Sequence, residues 1–116
     1  MARVSRISWW QRLPFWGWRI VTNVESADDI PSEIPRNGAV LVGPRIKPKW
    51  IAFDCPCHSG HRIMLNTDKS RLPYWKVSTS GALTIAPSID YSNGEKRCHY
   101  FIRKGHVQWV PERHAP

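Results

Sequence analysis

Phe53-Asp54-Cys55-Pro56-Cys57-His58-Ser59-Gly60-His61 is the stretch in which this chain concentrates its metal-binding side chains. Two of the three cysteines and two of the five histidines fall within the seven residues from 55 to 61. Zn²⁺ in structural sites is held by a tetrahedron of thiolates and imidazoles, commonly a close pair of ligands and a second pair from a distant segment. We therefore expect the fold to be organised around this stretch.

The spacing of the cysteine pair suits a single ion. Side chains alternate along an extended strand, so Cys55 and Cys57 lie on the same face. Pro56 fixes its own φ and favours an extended conformation at the residue before it. The alternative is that the cysteines are small buried hydrophobic residues and the histidines polar loop residues. The clustering of thiol and imidazole groups favours a metal site.

The second half of the site is predicted to come from the other cluster of this kind, Cys98-His99. The cysteine pair would be completed by two of four groups: His58, His61, Cys98 and His99. We expect a structural Zn²⁺ and assign its candidate ligands as Cys55, Cys57, His61, Cys98 and His99.

A Rieske iron–sulfur centre is the rival interpretation of the same box. Residues 55–60 resemble the second cluster-binding box of Rieske proteins, in which a Cys and a His bind iron and the other Cys forms a disulfide. A Rieske centre uses two cysteines and two histidines, which requires a Cys-x-His box upstream. No cysteine precedes Cys55, and Cys98-His99 lies downstream without the intervening residue. Ligand count and order therefore favour zinc.

Length and composition indicate one folded domain. A chain of 116 residues forms a modest core, to which a bound metal would add useful stability. A hydrophobic fraction of 41% with seven tryptophans is too apolar for a disordered chain. Three cysteines do not make a closed disulfide framework, no secretory signal is visible, and no apolar run is long enough to span a bilayer. We therefore expect a cytoplasmic protein.

The net charge of +8, from 17 Lys and Arg against nine Asp and Glu, favours acidic partners. The basic residues are scattered and form no block, so a solubilising surface is the alternative. One function class is a nucleic-acid-binding module, in which aromatic side chains stack on bases and cations meet phosphates. We expect protein partners, with only weak nucleic-acid binding at low salt.

Residues 1–14 are predicted to be a basic, tryptophan-rich extension before a single domain over residues 15–112, with a tail over 113–116. Trp and Arg carry much of the energy of protein contacts. One or two helical turns would bury too little surface to anchor the chain in lipid. We expect four residues near the start to contact a partner protein: Trp9, Trp10, Arg12 and Trp16.

The rest of the chain has the pattern of strands and turns. From Trp16 the apolar side chains recur with a period of two, and β-rich runs follow at 39–43, 49–53, 61–66, 74–79, 83–85, 98–103 and 106–110. Gly60 allows the chain to turn back, and Lys104-Gly105 is a two-residue hairpin signal. We predict a mainly β fold, a small antiparallel β domain stabilised by a zinc site, with at most one or two short helices.

No familiar catalytic motif is present. A Gly-rich phosphate loop, a Gly-x-Ser-x-Gly elbow and a His-Glu-x-x-His helix are all missing from the sequence. A cysteine beside a histidine can be activated as a nucleophile, but the adjacent Cys98 and His99 would point to opposite faces of a strand. We therefore expect a non-catalytic module and not an enzyme.

Seven motifs in order resemble those of a family of small bacterial proteins. They span about residues 25 to 110 and are specific as an ordered set. In this chain they are Pro31 to Pro35, Val42-Gly43, Cys55 to Gly60, Leu65-Asn66, Pro73-Tyr74-Trp75, Pro87-Ser88-Ile89 and His99 to Trp109.

The resemblance implies a context for the chain. The family is similar to metal-binding proteins, and its genes lie in bacterial operons for ubiquitin-like conjugation that are implicated in antiphage defence. Its members often have a further Cys where Ser59 stands and another where Lys96 stands, and Cys98 would compensate for the second. We therefore expect a non-catalytic, zinc-binding adaptor that binds partner proteins, among them the conjugation enzymes. A nucleic-acid-binding module and a Rieske-like redox protein are the alternatives.

Overall fold

The computed structural model describes residues 17–79, 82–92, 94 and 96–111. Within these ranges the chain forms strands and a single 3₁₀ turn at Ala27–Asp29, so the predicted mainly β fold is confirmed. The described residues contain no helix that could cross a membrane. The strands in chain order are β1 (Arg19–Val24), β2 (Gly38–Val42), β3 (Trp50–Asp54), β4 (Arg62–Asn66), β5 (Lys76–Ser78), β6 (Thr84–Ser92), β7 (Arg97–Arg103) and β8 (His106–Trp109).

The strands form two four-stranded sheets. The first has the order β1-β2-β3-β4 and the second the order β5-β6-β7-β8. Neighbouring strands are antiparallel except for β1 and β2, which are parallel. Parallel neighbours need a crossover connection, and residues 25–37 provide it.

The main core lies between the two sheets. It is built from inward-facing side chains of both, among them Ile51 and Phe53 of β3 and Tyr100 and Ile102 of β7. Trp18 meets Phe53 edge to face, with ring centroids 5.4 Å apart. Each sheet therefore buries one face against the other, as the alternating pattern of β4 and β7 requires.

A second, smaller core covers the other face of β2. Val40 and Val42 pack there with Val24, beneath Ile30 and Ile34 of the crossover. Because β2 is buried on both faces, its sequence is continuously apolar and not alternating.

The β7–β8 hairpin has the turn that its sequence predicts. Lys104 and Gly105 both have positive φ, 49° and 80°. Trp18 N donates a hydrogen bond to Gly105 O at 2.9 Å, and Gly105 N donates to Leu83 O at 2.7 Å. A Cβ at Gly105 would lie 3.1 Å from the Cβ of Ala82, so a glycine allows this close approach. The turn thus fastens the ends of the two sheets together.

Candidate functional site

The Cys-Pro-Cys box forms the tip of the β3–β4 hairpin. β3 ends at Asp54, and β4 begins at Arg62, whose Nε donates to Asp54 Oδ1 at 2.7 Å. Inside this pair, Cys55 N donates to His61 O at 3.0 Å, so the predicted antiparallel return brings His61 level with the cysteines. Gly60, at φ 89°, accommodates the tight return.

Four side chains converge inside the tip. Cys55, Cys57, His61 and Cys98 each bring one ligand atom into a group whose members all lie within 4.8 Å of one another. His61 Nε2 is 3.1 Å from Cys57 Sγ and 3.8 Å from Cys98 Sγ. Metal–ligand distances of about 2.0–2.3 Å in a zinc tetrahedron place the ligand atoms about 3.5–3.8 Å apart. The cluster therefore has the dimensions to hold one metal ion.

The thiols of the cluster differ in acidity. Burial, with the neighbouring Cys57 and Cys55, raises the pKa of Cys98 to about 12, and burial also raises the pKa of Cys55. Burial opposes ionisation of Cys57 as well, but hydrogen bonds from the Ser59 side chain and backbone, together with those from Cys55 and Cys98, outweigh it and lower the pKa of Cys57 to about 6. Cys57 is thus the thiol already prepared to act as an anionic ligand.

Tyr100 is a buried side chain beside the cluster whose hydroxyl needs a hydrogen-bond acceptor. Its side chain is fully buried, and its hydroxyl has no hydrogen-bond partner among the described residues. Burial is the largest cause of the raised pKa of Tyr100, and the negative charge of an ionised Cys55 is the next. The Tyr100 hydroxyl therefore lies beside the Cys55 sulfur. A buried hydroxyl needs an acceptor, and a metal-bound thiolate supplies one. The residues present therefore fit a metal ion.

The structure brings four of the five predicted ligands together and separates His99 from them. Adjacent residues of β7 point to opposite faces, so His99 lies on the outer face when Cys98 lies on the inner. His58 is exposed and outside the cluster. A Rieske centre needs two imidazoles, whereas the cluster within the described residues contains one.

The predicted partner-binding residues Trp9, Trp10, Arg12 and Trp16 lie outside the part of the chain that the structure describes, as do the extension over 1–14 and the tail over 113–116. Ser59 and Lys96, the two positions at which the resemblance led us to expect further cysteines, lie in contact. Lys96 Nζ donates to Ser59 Oγ at 2.9 Å, and neither residue belongs to the four-residue cluster.

A second constellation lies on the outer face of β7 and its neighbour β6. His99 Nε2 is 2.9 Å from Ser88 Oγ. Ser88 belongs to β6 and His99 to β7, and both side chains are half-buried. A histidine at this distance from a serine is positioned to accept the hydroxyl proton as the serine attacks a carbonyl group.

A bulge in β6 positions Ser88. Ile85 pairs with Ile102 and Ile89 with Tyr100, so three residues of β6 oppose one residue of β7 between those pairs. Pro87 in this segment cannot donate to the ladder. Bulges re-aim side chains and are common beside active sites. Here the bulge directs the Ser88 hydroxyl towards His99.

Two further residues support the pair. Trp75 Nε1 donates to the carbonyl oxygen of Ser88 at 3.1 Å, and this hydrogen bond ties the bulge to the residues that lead into β5. Asp90 lies opposite His99 in the β6–β7 register. Arg97 donates to both oxygens of the Asp90 carboxylate, at 2.9 and 2.7 Å, and these bonds hold the pKa of Asp90 below its usual range, with a smaller effect from His99. An ionised carboxylate therefore stands beside the imidazole.

Reasoning from the sequence missed Ser88. His99 was assigned to the metal, and Ser88 appeared only within the Pro87-Ser88-Ile89 motif of the family resemblance. The useful signal was that this motif directly follows the β-rich run at 83–85 and precedes the run at 98–103 that contains His99, and consecutive runs of this kind commonly pair as neighbouring strands.

The model of a protein family described as bacterial ubiquitination-like system serine protease (BubE) matches residues 26–110. The chain belongs to the BubE family. The predicted association with bacterial ubiquitin-like systems is therefore confirmed. No curated protein and no solved structure matches the chain.

Membership of the BubE family corrects two expectations. The chain was expected to be a non-catalytic adaptor and not an enzyme, whereas the family is described as a serine protease. The error has a physical cause. The sequence contains no contiguous catalytic motif, and Ser88 and His99 meet only because β6 and β7 pair with a bulge in β6.

Proposed function

We propose that this domain is a serine hydrolase that cleaves a polypeptide substrate of a bacterial ubiquitination-like system, with Ser88 as nucleophile and His99 as general base. The observation that carries the proposal is the distance of 2.9 Å between Ser88 Oγ and His99 Nε2. It is supported by the serine protease description of the family to which the chain belongs.

The proposed reaction is acyl transfer through the serine. His99 Nε2 takes the hydroxyl proton as Ser88 Oγ bonds to the carbonyl carbon of the substrate, and the imidazolium then gives that proton to the leaving group. This first half of the reaction leaves an ester between Ser88 and the acyl fragment of the substrate. Water, deprotonated by His99, attacks the ester and releases the acid, returning the proton to Ser88. Asp90 lies opposite His99 in the register, and its charge would favour the imidazolium from a distance, although both of its carboxylate oxygens are hydrogen-bonded to Arg97.

The proposal includes a structural Zn²⁺, which the cluster of Cys55, Cys57, His61 and Cys98 would bind. When bound, the ion would act as a structural cross-link, because four protein ligands leave no position for water or substrate. Three ligands come from the hairpin of the first sheet and Cys98 from β7 of the second. The cluster therefore ties the two sheets together on the inner face of the strand whose outer face carries His99.

Covalent labelling by a fluorophosphonate tests the nucleophile directly. In this reaction a serine oxygen bonds to phosphorus and fluoride leaves, so an activated serine is recorded whatever the natural substrate is. We expect the wild-type chain to be labelled at Ser88, as located by peptide mass spectrometry. Ser88→Ala should lose the label, and its labelling rate should fall by about 10³-fold or more.

Ser92→Ala is the matched control, because Ser92 lies on the same strand four residues on and its hydroxyl accepts a hydrogen bond from Gly94 N, not from a histidine. It should be labelled like the wild type. Equal melting temperatures of the two variants exclude unfolding as the cause of a lost label. Labelling at another serine, with Ser88→Ala as reactive as the wild type, would refute the assignment.

A further inference from the structure

A groove of about 550 Å³ opens between the loops of the first sheet and the edge of the second. One wall is the segment after β2, including Ile46, and the other is β5 with the residues that lead into it. β5 is an edge strand of its sheet. The groove does not include the metal ligands or the Ser88–His99 pair among its lining residues.

The charged side chains that line the groove are all positive. Four exposed cations line it, and no Asp or Glu is among its described lining residues. None of the four makes an ion pair or a side-chain hydrogen bond within the described part of the chain. The cations are Arg45, Lys47, Lys69 and Lys76. Like charges held together without counterions form a site for an acidic ligand.

The groove also offers apolar surface and a strand edge. Ile46 is fully exposed and Tyr74 is more than one third exposed, although both are large hydrophobic residues. Lys76 and Val77 both line the groove, and consecutive residues of a strand face opposite ways, so the groove runs along the edge of β5 and not over one face. Every second residue of an edge strand turns its N–H and C=O away from the sheet.

We propose that this groove binds an acidic, extended segment of the polypeptide substrate, which pairs with the edge of β5 and places its carboxylates among the four cations. Binding of a peptide to a sheet edge takes affinity from the backbone and specificity from alternate side chains. Acidic side chains on one face of such a segment would meet the cations, and apolar side chains on the other would cover Ile46 and Tyr74.

The groove is separated from the proposed nucleophile by the one strand β5, and as a binding site for a part of the substrate it rests on the proposed function. Trp75 lines the groove, and its Nε1 donates to the carbonyl oxygen of Ser88. Lys76 pairs with Ala86, two residues before Ser88, so a strand added to β5 runs level with the bulge. A polypeptide is favoured over a nucleic acid because the groove runs along the edge of β5, whose outward N–H and C=O groups pair with a peptide backbone.

The test is direct binding to the Ser88→Ala variant, which does not turn over the probe. The probe is a fluorescein-labelled peptide of alternating Glu and Val, read by fluorescence anisotropy at physiological salt, against the same peptide with Gln for Glu. We expect the Glu peptide to bind at least about tenfold more tightly. Reversing two charges, Lys47→Glu with Lys69→Glu, should weaken it by about tenfold or more.

Arg36→Glu is the control, because Arg36 is an exposed cation before β2 and therefore at the opposite end of that strand from Lys47. It should leave binding unchanged. Equal losses in the groove and control variants would show general charge attraction and overturn the proposal. So would tighter binding of a labelled oligo-dT strand that the groove variant abolishes, which would make the groove a nucleic-acid site. The readout is binding and not hydrolysis, and mass spectrometry of the recovered probe shows whether it is intact, so a failure of the nucleophile assignment leaves this result readable on its own.

Discussion

Replacing Cys98 tests whether the four-residue cluster is a metal site that holds the two sheets together. Cys98 is the member of the cluster that comes from the second sheet, and it is 1% exposed. Cys98→Ala removes one thiolate from the set and leaves no polar group in its place. An incomplete tetrahedron binds metal weakly, and at a structural site the binding energy is part of the folding energy.

The magnitude follows from linkage. A ligand present at 1,000 times its dissociation constant stabilises the folded state by about 4.1 kcal/mol. For a domain of this size 1 kcal/mol corresponds to about 4 °C in melting temperature, so metal loss should lower it by about 16 °C. The cavity left by the missing sulfur adds about 1 kcal/mol, or about 4 °C. We therefore expect Cys98→Ala to melt about 20 °C below the zinc-bound wild type.

Differential scanning calorimetry with and without a strong chelator separates the effect of metal loss from the effect of the cavity. Chelation should lower the melting temperature of the wild type by about 16 °C and leave Cys98→Ala nearly unchanged, so that the two differ by about 4 °C without metal. His58→Asn is the control, since His58 is exposed on the same hairpin at φ 59°, which Asn tolerates. It should keep its metal and its melting temperature.

Elemental analysis of each sample completes the assay. One zinc per wild-type chain and none in Cys98→Ala is the expected result. A wild-type chain whose melting temperature does not respond to the chelator, or a Cys98→Ala variant that retains one equivalent of zinc, would refute the cross-link.

Two more predictions concern His99 on β7 and the thiols of the cluster. His99→Gln should retain one zinc while losing fluorophosphonate labelling by about 10²-fold or more, because His99 faces Ser88 and not the cluster; loss of zinc in this variant would return His99 to the ligand set. Zinc affinity, measured by competition with a chromophoric chelator, should rise with pH. Burial raises the pKa of both Cys98 and Cys55, so their thiols are protonated at neutral pH, and zinc must displace two protons. The expected slope is about 100-fold per pH unit, and an affinity that does not change between pH 6.5 and 8.5 would contradict it.

Most of the strands and turns of the fold could be predicted from local sequence patterns. The period of two in residues 98–103, the Lys104-Gly105 turn and the return after Gly60 are all decided by residues close in sequence, and each has its expected counterpart in the structure. The clustering of Cys55 and Cys57 with His61 is local in the same way. The parallel pairing of β1 with β2 depends on a crossover and had no such signal.

The Ser88–His99 pair shows what local patterns omit. Its geometry depends on the register of β6 against β7 and on three residues opposing one, and neither follows from composition or period. The predicted β-rich run ended at residue 85, whereas β6 continues through Pro87 to Ser92. A proline inside an otherwise regular strand was in fact the mark of the bulge that positions the serine.

The alternation of β7 links the two constellations. Cys98 and Tyr100 point inward to the metal cluster and the core, and His99 between them points outward to Ser88. A slip of β7 by one residue would exchange the two faces, removing the thiol from the cluster and the imidazole from the serine together. A metal bound to Cys98 would resist such a slip, because Cys55, Cys57 and His61 hold the other side of the ion. The cluster would therefore support hydrolysis by fixing a register, although the strand separates it from the reacting atoms.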